Sequence, residues 1–117
     1  MEITDIPFCK LKLTEKFAII NVNDGIIFNL EKAAIIRNHL KAFYKKDKFV
    51  LISLRENTYV IDERILFEDV IENMQGWCIV SKNPYDKKKA IKEQSLFPKP
   101  YAFFTDLEDA QDWANTF

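Results

Sequence analysis

The sequence predicts an α/β fold: a mixed, mostly parallel sheet with helices packed on it. Three short runs, apolar throughout but for Ser53, predict it, at Phe49–Leu54, residues 77–80 and Tyr101–Phe104. Each is followed by a segment whose apolar residues recur at helical spacing. Strands buried on both faces read as such runs, and helices that alternate with them cover those faces. The length of 117 residues suits one domain spanning 1–117. A chain of this size buries roughly 65% of its unfolded surface. Its 48% hydrophobic content supplies the core.

The elements follow in order. Residues 8–13 alternate, with Cys9, Leu11 and Leu13 on one side and Phe8, Lys10 and Lys12 on the other, which marks a strand with one mostly polar face. The tight link Thr14-Glu15-Lys16 pairs it antiparallel with a second strand, Phe17–Val22. Asn23-Asp24-Gly25 is a turn, because Gly accepts positive φ at little cost. Asn29 then caps a helix over Leu30–Tyr44, with Leu30, Ala33, Ala34, Ile36, Leu40 and Phe43 at helical spacing. Lys45, Lys46 and Lys48 lie at its end, where the helix dipole favours cations.

Strand Phe49–Leu54 leads into a polar stretch. Asp62 is the expected N-cap of a second helix reaching to about Asn73, with Leu66, Phe67, Val70, Ile71 and Met74 as its apolar side. Gly76 closes that helix in a left-handed conformation. After the strand at 77–80, Asn83-Pro84 starts a third helix, cap followed by proline. Phe97-Pro98-Lys99-Pro100 breaks it before strand Tyr101–Phe104. Thr105-Asp106-Leu107-Glu108 is a capping box for a final helix with Leu107, Ala110, Trp113 and Ala114 facing inward. The predicted order is β-β-α-β-α-β-α-β-α. Right-handed crossovers put helices on both faces of the sheet.

These elements and several short strings resemble the SpoIIAA-like, or STAS-like, domains. The strongest string is Ile52-Ser53-Leu54-Arg55-Glu56-Asn57-Thr58-Tyr59, an I-S-x-R-x-N-x-Y pattern as in small stand-alone bacterial members. Phe28-Asn29-Leu30 and Leu107-Glu108-Asp109-Ala110 are also similar. The resemblance spans nearly the whole chain. It implies a non-enzymatic regulatory or binding module, since partner switching and lipid or nucleotide binding are known among relatives. The phosphorylatable Ser that anti-sigma-factor antagonists carry at the start of the helix after the central strand is missing; Asp62-Glu63-Arg64 stands there. Nothing marks the nearest hydroxyl, Thr58, as a kinase site.

Composition narrows the function. Seventeen basic against 18 acidic residues, a net charge of −1, give no global attraction to nucleic acid. No apolar run approaches the roughly 18 residues of a membrane span. Two glycines, Gly25 and Gly76, cannot build a phosphate-cradling loop. Cys9 and Cys78 share no C-x-x-C spacing, and the acidic start lacks a signal-peptide pattern. A reduced, cytoplasmic protein without cofactor, metal or catalytic role is expected.

The binding candidates are Ser53, Arg55, Asn57, Tyr59 and Asp62, at the carboxyl end of the central strand, where open α/β sheets bind ligands. Arg55 suits an anion, and Asn57 and Tyr59 add directional hydrogen bonds. The expected occupant is an unknown protein partner or a small anionic or lipid-like ligand. Lys82, Lys87, Lys88, Lys89, Lys92 and Lys99 read as a solvated helix face diluted by Asp86 and Glu93. The acidic residues 106, 108, 109 and 112 answer the dipole of the last helix. Two alternatives stand beside this reading: a homodimer built by self-association, and a small enzyme using His39 with Cys9 or Cys78.

Overall fold

The computed structural model describes residues 2–117. Its strands are β1 (Glu2–Ile6), β2 (Cys9–Leu13), β3 (Phe17–Val22), β4 (Ile27–Phe28), β5 (Phe49–Leu54), β6 (Val60–Ile61), β7 (Met74–Val80) and β8 (Tyr101–Phe104). Its helices are α1 (Leu30–Tyr44), α2 (Pro84–Leu96) and α3 (Leu107–Ala114). The main sheet has six strands in the order β1-β2-β3-β5-β7-β8. β2 is antiparallel to both its neighbours, β1 and β3, and β3, β5, β7 and β8 are parallel. The mixed, mostly parallel sheet is thus as expected.

Two cores flank the sheet. The larger holds Leu11, Ile20, Leu51 and Trp77 against Ile36 and Leu40 of α1 and Ala90 of α2. The smaller holds Ile19, Val50, Ile52, Cys78 and Val80 against Ala110 and Ala114 of α3. Alternation along β5 sends Phe49 and Leu51 to one core and Val50 and Ile52 to the other. The α1 stripe is rotated slightly from expectation. Tyr44 is buried while Phe43 and Ala34 are exposed. Tyr44 stacks on Phe49 at 4.1 Å between ring centroids, and its hydroxyl donates to the Thr14 carbonyl at 2.7 Å.

Five expectations are corrected. First, the acidic start forms the edge strand β1. Its apolar residues, Ile3 and Ile6, do not alternate, so periodicity missed it; pairing carries it instead, with Asp5 opposite Lys10. Second, Ile27–Phe28 and Val60–Ile61 form a two-stranded parallel sheet of their own. Third, the helix expected over 63–73 is only a 3-10 turn, Glu63–Leu66. Asp69 has φ 52°, which stops a helix. Side chains from other elements hold the carbonyls along this stretch instead. Arg37 Nε donates to Asp69 O at 3.0 Å, and Lys99 Nζ donates to Ile71, Glu72 and Met74 O at 2.9, 2.8 and 2.7 Å.

Fourth, Gly76 lies inside β7 and does not take a positive φ. It is small because a Cβ there would stand 3.0 Å from the Trp113 ring and 3.2 Å from the Pro100 carbonyl. Fifth, the capping box does not form. Asp106 is the N-cap of α3, and no side chain bonds to its first amides. The caps at Asn29 and Asn83 form as read, accepting from Lys32 N and Tyr85 N at 2.9 Å each.

Candidate functional site

The carboxyl ends of β5, β7 and β8 meet on one side of the sheet. From β7 the chain turns into α2 over one face; from β8 it turns into α3 over the other. Adjacent strands whose connections part in this way leave a crevice for ligands. Here it is a groove of ≈ 660 Å³ lined by Arg55, Asn57, Ser81, Lys82, Thr105 and Asp106 among others. A smaller recess of ≈ 170 Å³ adjoins it, lined by Arg55, Asn57, Tyr59, Asn83, Asp86 and Lys89 among others.

Arg55 is shared by both. It is 8% exposed, and its Nη2 bonds both oxygens of buried Glu93 on α2 at 3.1 Å. The Tyr101 hydroxyl donates to the same carboxylate at 2.8 Å. The Tyr59 ring lies 5.9 Å from the guanidinium. Burial pulls the Arg55 pKa down, but Tyr59, Glu93 and Tyr101 outweigh it, so the group ends above the ordinary arginine value and stays cationic. Burial raises the Tyr59 and Tyr101 hydroxyls, which therefore stay protonated. Arg55 Nε is buried without a hydrogen-bond partner.

The other expected residues divide. Asn57 reaches back to the Val22 carbonyl at 3.0 Å and, with Arg55 and Tyr59, lines the recess. Ser53 turns inward instead: it is buried, and its Oγ accepts from Trp77 Nε1 at 2.8 Å. Asp62 caps the 3-10 turn and pairs with Arg64 at 2.6 Å. Hydrogen bonds from Arg64 hold its carboxyl below the usual carboxylate range. Neither Ser53 nor Asp62 lines either cavity.

Sequence reading missed Glu93 and Tyr101 as the partners of Arg55. Glu93 carried a signal, since it sits three residues after Ala90 and four before Phe97, on the apolar stripe of α2. An acid on a buried stripe demands a cation. Asp86 is also tied down, accepting from Ser81 Oγ at 2.5 Å. A third space, apolar and bounded by Phe28, Ile36, Leu51, Ile65 and Trp77 among others, holds only ≈ 40 Å³. Ligand pockets usually run to about 300 Å³ or more.

The alternative nucleophiles are poorly placed. Cys9 and Cys78 are buried in the two different cores, on opposite faces of the sheet. Burial pushes their thiols up to about 11 and about 12. Neither supplies a thiolate near neutral pH. The folded thiols ionise above the ordinary 9.0, so their neutrality stabilises the fold below pH 9.0. That contribution is expected to fade as pH rises from 9.0 through about 11 to 12, a loss that urea titrations across this range will register.

The molecule is similar to a crystallised uncharacterized protein of the DUF3478 family from Shewanella loihica PV-4, described as having a SpoIIAA-like fold. The TM-score is 0.60 with 91% of each chain covered. The fold is SpoIIAA-like. At 12% identity the likeness carries architecture and not residue roles. No protein-family model matches the chain, and comparison with curated proteins finds no significant match. In this SpoIIAA-like fold the groove lies where the parallel strands β5, β7 and β8 end. Among the described residues, no helix is long and apolar enough to cross a membrane.

Proposed function

We propose that the protein is a non-catalytic regulatory binding module whose groove at the carboxyl end of the sheet takes an anion. The occupant is a small anionic ligand or an anionic group presented by a protein partner. One observation carries this reading: Arg55 is a buried cation on the groove whose Nε has no partner. A buried donor left unpaired costs about 1–3 kcal/mol, which a ligand's oxygen would recover once the groove wall shifts to let it reach Nε. The uncapped first turn of α3 opens on the same groove and adds amide donors. Lys82 stands at the rim, 3.9 Å from the exposed Asp106 carboxylate, while Asp86 is engaged by Ser81. The apolar space is too small to favour a lipid-like occupant.

Thermal unfolding with inorganic phosphate, pyrophosphate, citrate and nucleotides tests it. At least one anion is expected to raise Tm, and Lys82→Ala is expected to shrink that rise while leaving the free protein's Tm in place. No rise with any anion, together with native mass spectra of protein isolated from its own host showing neither added mass nor partner, would refute the reading. Self-association is a second reading, favoured by the exposed, directly paired Ile27 and Val60. Light scattering at high concentration separates the two.

A further inference from the structure

The sequence of α2 reads as a mixed-charge helix, but the fold sorts its charges. Glu93 is buried against Arg55, and Asp86 is half-buried on Ser81. Both acids of the helix are thereby withdrawn from its outer surface. What remains outside is Lys87, Lys88, Lys89 and Lys92, all exposed, together with two large apolar side chains, Tyr85 at 74% and Ile91 at 64% exposure. Lys88, Ile91 and Ser95 follow one another along the face opposite Ala90 and Glu93. Among the described residues, the acid that pairs with this face from another element is Glu63, which meets Lys92 at 3.3 Å.

We infer that the outer face of α2 docks on anionic membrane surfaces. Charge complementarity supports this occupant, and the residue types favour a lipid surface over an acidic protein. The helix has four lysines and no arginine. Lysine is a flexible point charge suited to a diffuse field, whereas arginine's planar fork suits defined carboxylates. Tyr85 and Ile91 stand among the lysines as a tyrosine and an aliphatic do at a headgroup boundary. The apolar side of α2 stays on the core, so the contact is a peripheral docking and not an insertion. The protein as a whole carries a charge of only −1, so the attraction depends on which face meets the membrane.

Cosedimentation of the full chain with vesicles tests this, using phosphatidylglycerol and phosphatidylcholine in equal parts against phosphatidylcholine alone. Binding is expected only to the anionic vesicles and is expected to fall as salt rises. The triple variant Lys87→Gln, Lys88→Gln, Lys92→Gln is expected to weaken it by about fivefold per lysine. The triple variant Lys41→Gln, Lys46→Gln, Lys48→Gln makes the same change in net charge elsewhere and is expected to leave binding intact. Ile91→Ser is expected to weaken vesicle binding without weakening any binding to polyglutamate. Absence of binding to anionic vesicles overturns the inference, as does equal weakening by the two triple variants. Lysine-dependent binding to polyglutamate without binding to vesicles would assign the face to an acidic protein instead.

Discussion

Replacing Arg55 by alanine is expected to cost about 3–5 kcal/mol of folding stability, because it strands a buried carboxylate without its cation. Glu93 is 3% exposed, and among the described residues its hydrogen-bond donors are Arg55 and the Tyr101 hydroxyl. Water has no ready access to replace the lost guanidinium. The pair also ties the end of β5 to the last turn of α2, so its loss loosens the groove wall. Urea unfolding of Arg55→Ala against the parent measures the cost. The double variant Arg55→Met, Glu93→Leu is expected to recover most of it, since well-packed apolar residues often replace a buried ion pair without loss. A single variant within about 0.5 kcal/mol of the parent would show that the pair is not closed off from solvent, because changes of that size are typical of surface sites.

Trp77→Ala is expected to cost a similar about 3–5 kcal/mol, the range for removing a large buried aromatic. Trp77 sits in the middle of the larger core, with Phe97 edge-on at 5.6 Å and Tyr101 at 6.0 Å between ring centroids. Its indole N–H also donates to Ser53, so alanine leaves a void and an unpaired buried hydroxyl. Trp77→Phe is expected to cost less, because the ring keeps most of the packing and only the hydrogen bond is lost. Guanidinium unfolding of the two variants orders them. Equal costs would mean that the hydrogen bond to Ser53, and not the packing, dominates at this position.

The parallel half of the sheet was legible because β5 and β7 are buried on both faces and the edge strand β8 is at least half-buried along its length. Near-continuous apolar runs at Phe49–Leu54 and Tyr101–Phe104 leave few other readings. Asn29 and Asn83-Pro84 were legible because capping is a local interaction between near neighbours. The segment 63–73 misled because its apolar residues do recur at helical steps, while the groups that prevent a helix lie far off in sequence. Lys99 and Arg37 claim its carbonyls from other elements, and no local pattern announces that. Gly76 misled for a related reason. A glycine after a helical pattern reads as a stop, but its smallness serves Trp113 and Pro100.

The candidate site was half legible. Arg55, Asn57 and Tyr59 come together at the strand end as their positions implied. Ser53 shares the parity of Leu51 and Arg55, but it lies two residues inside the strand end, where Trp77 covers it, so it belongs to the core and not to the groove. The ion pair with Glu93 joins residues 38 apart and depends on where α2 lands. Sequence spacing alone does not carry that information.

The most direct test of the anion groove is a nitrogen-15 correlation spectrum of the full chain, titrated with whichever anion most raises Tm. Shifts are expected at the amides of Arg55, Asn57, Ser81, Lys82 and Leu107, with the Arg55 Nε–H resonance moving as it gains an acceptor. Shifts confined to the opposite end of the sheet, around Lys16, Lys48 and Gln75, or an unmoved Arg55 Nε–H at saturation, would contradict the site.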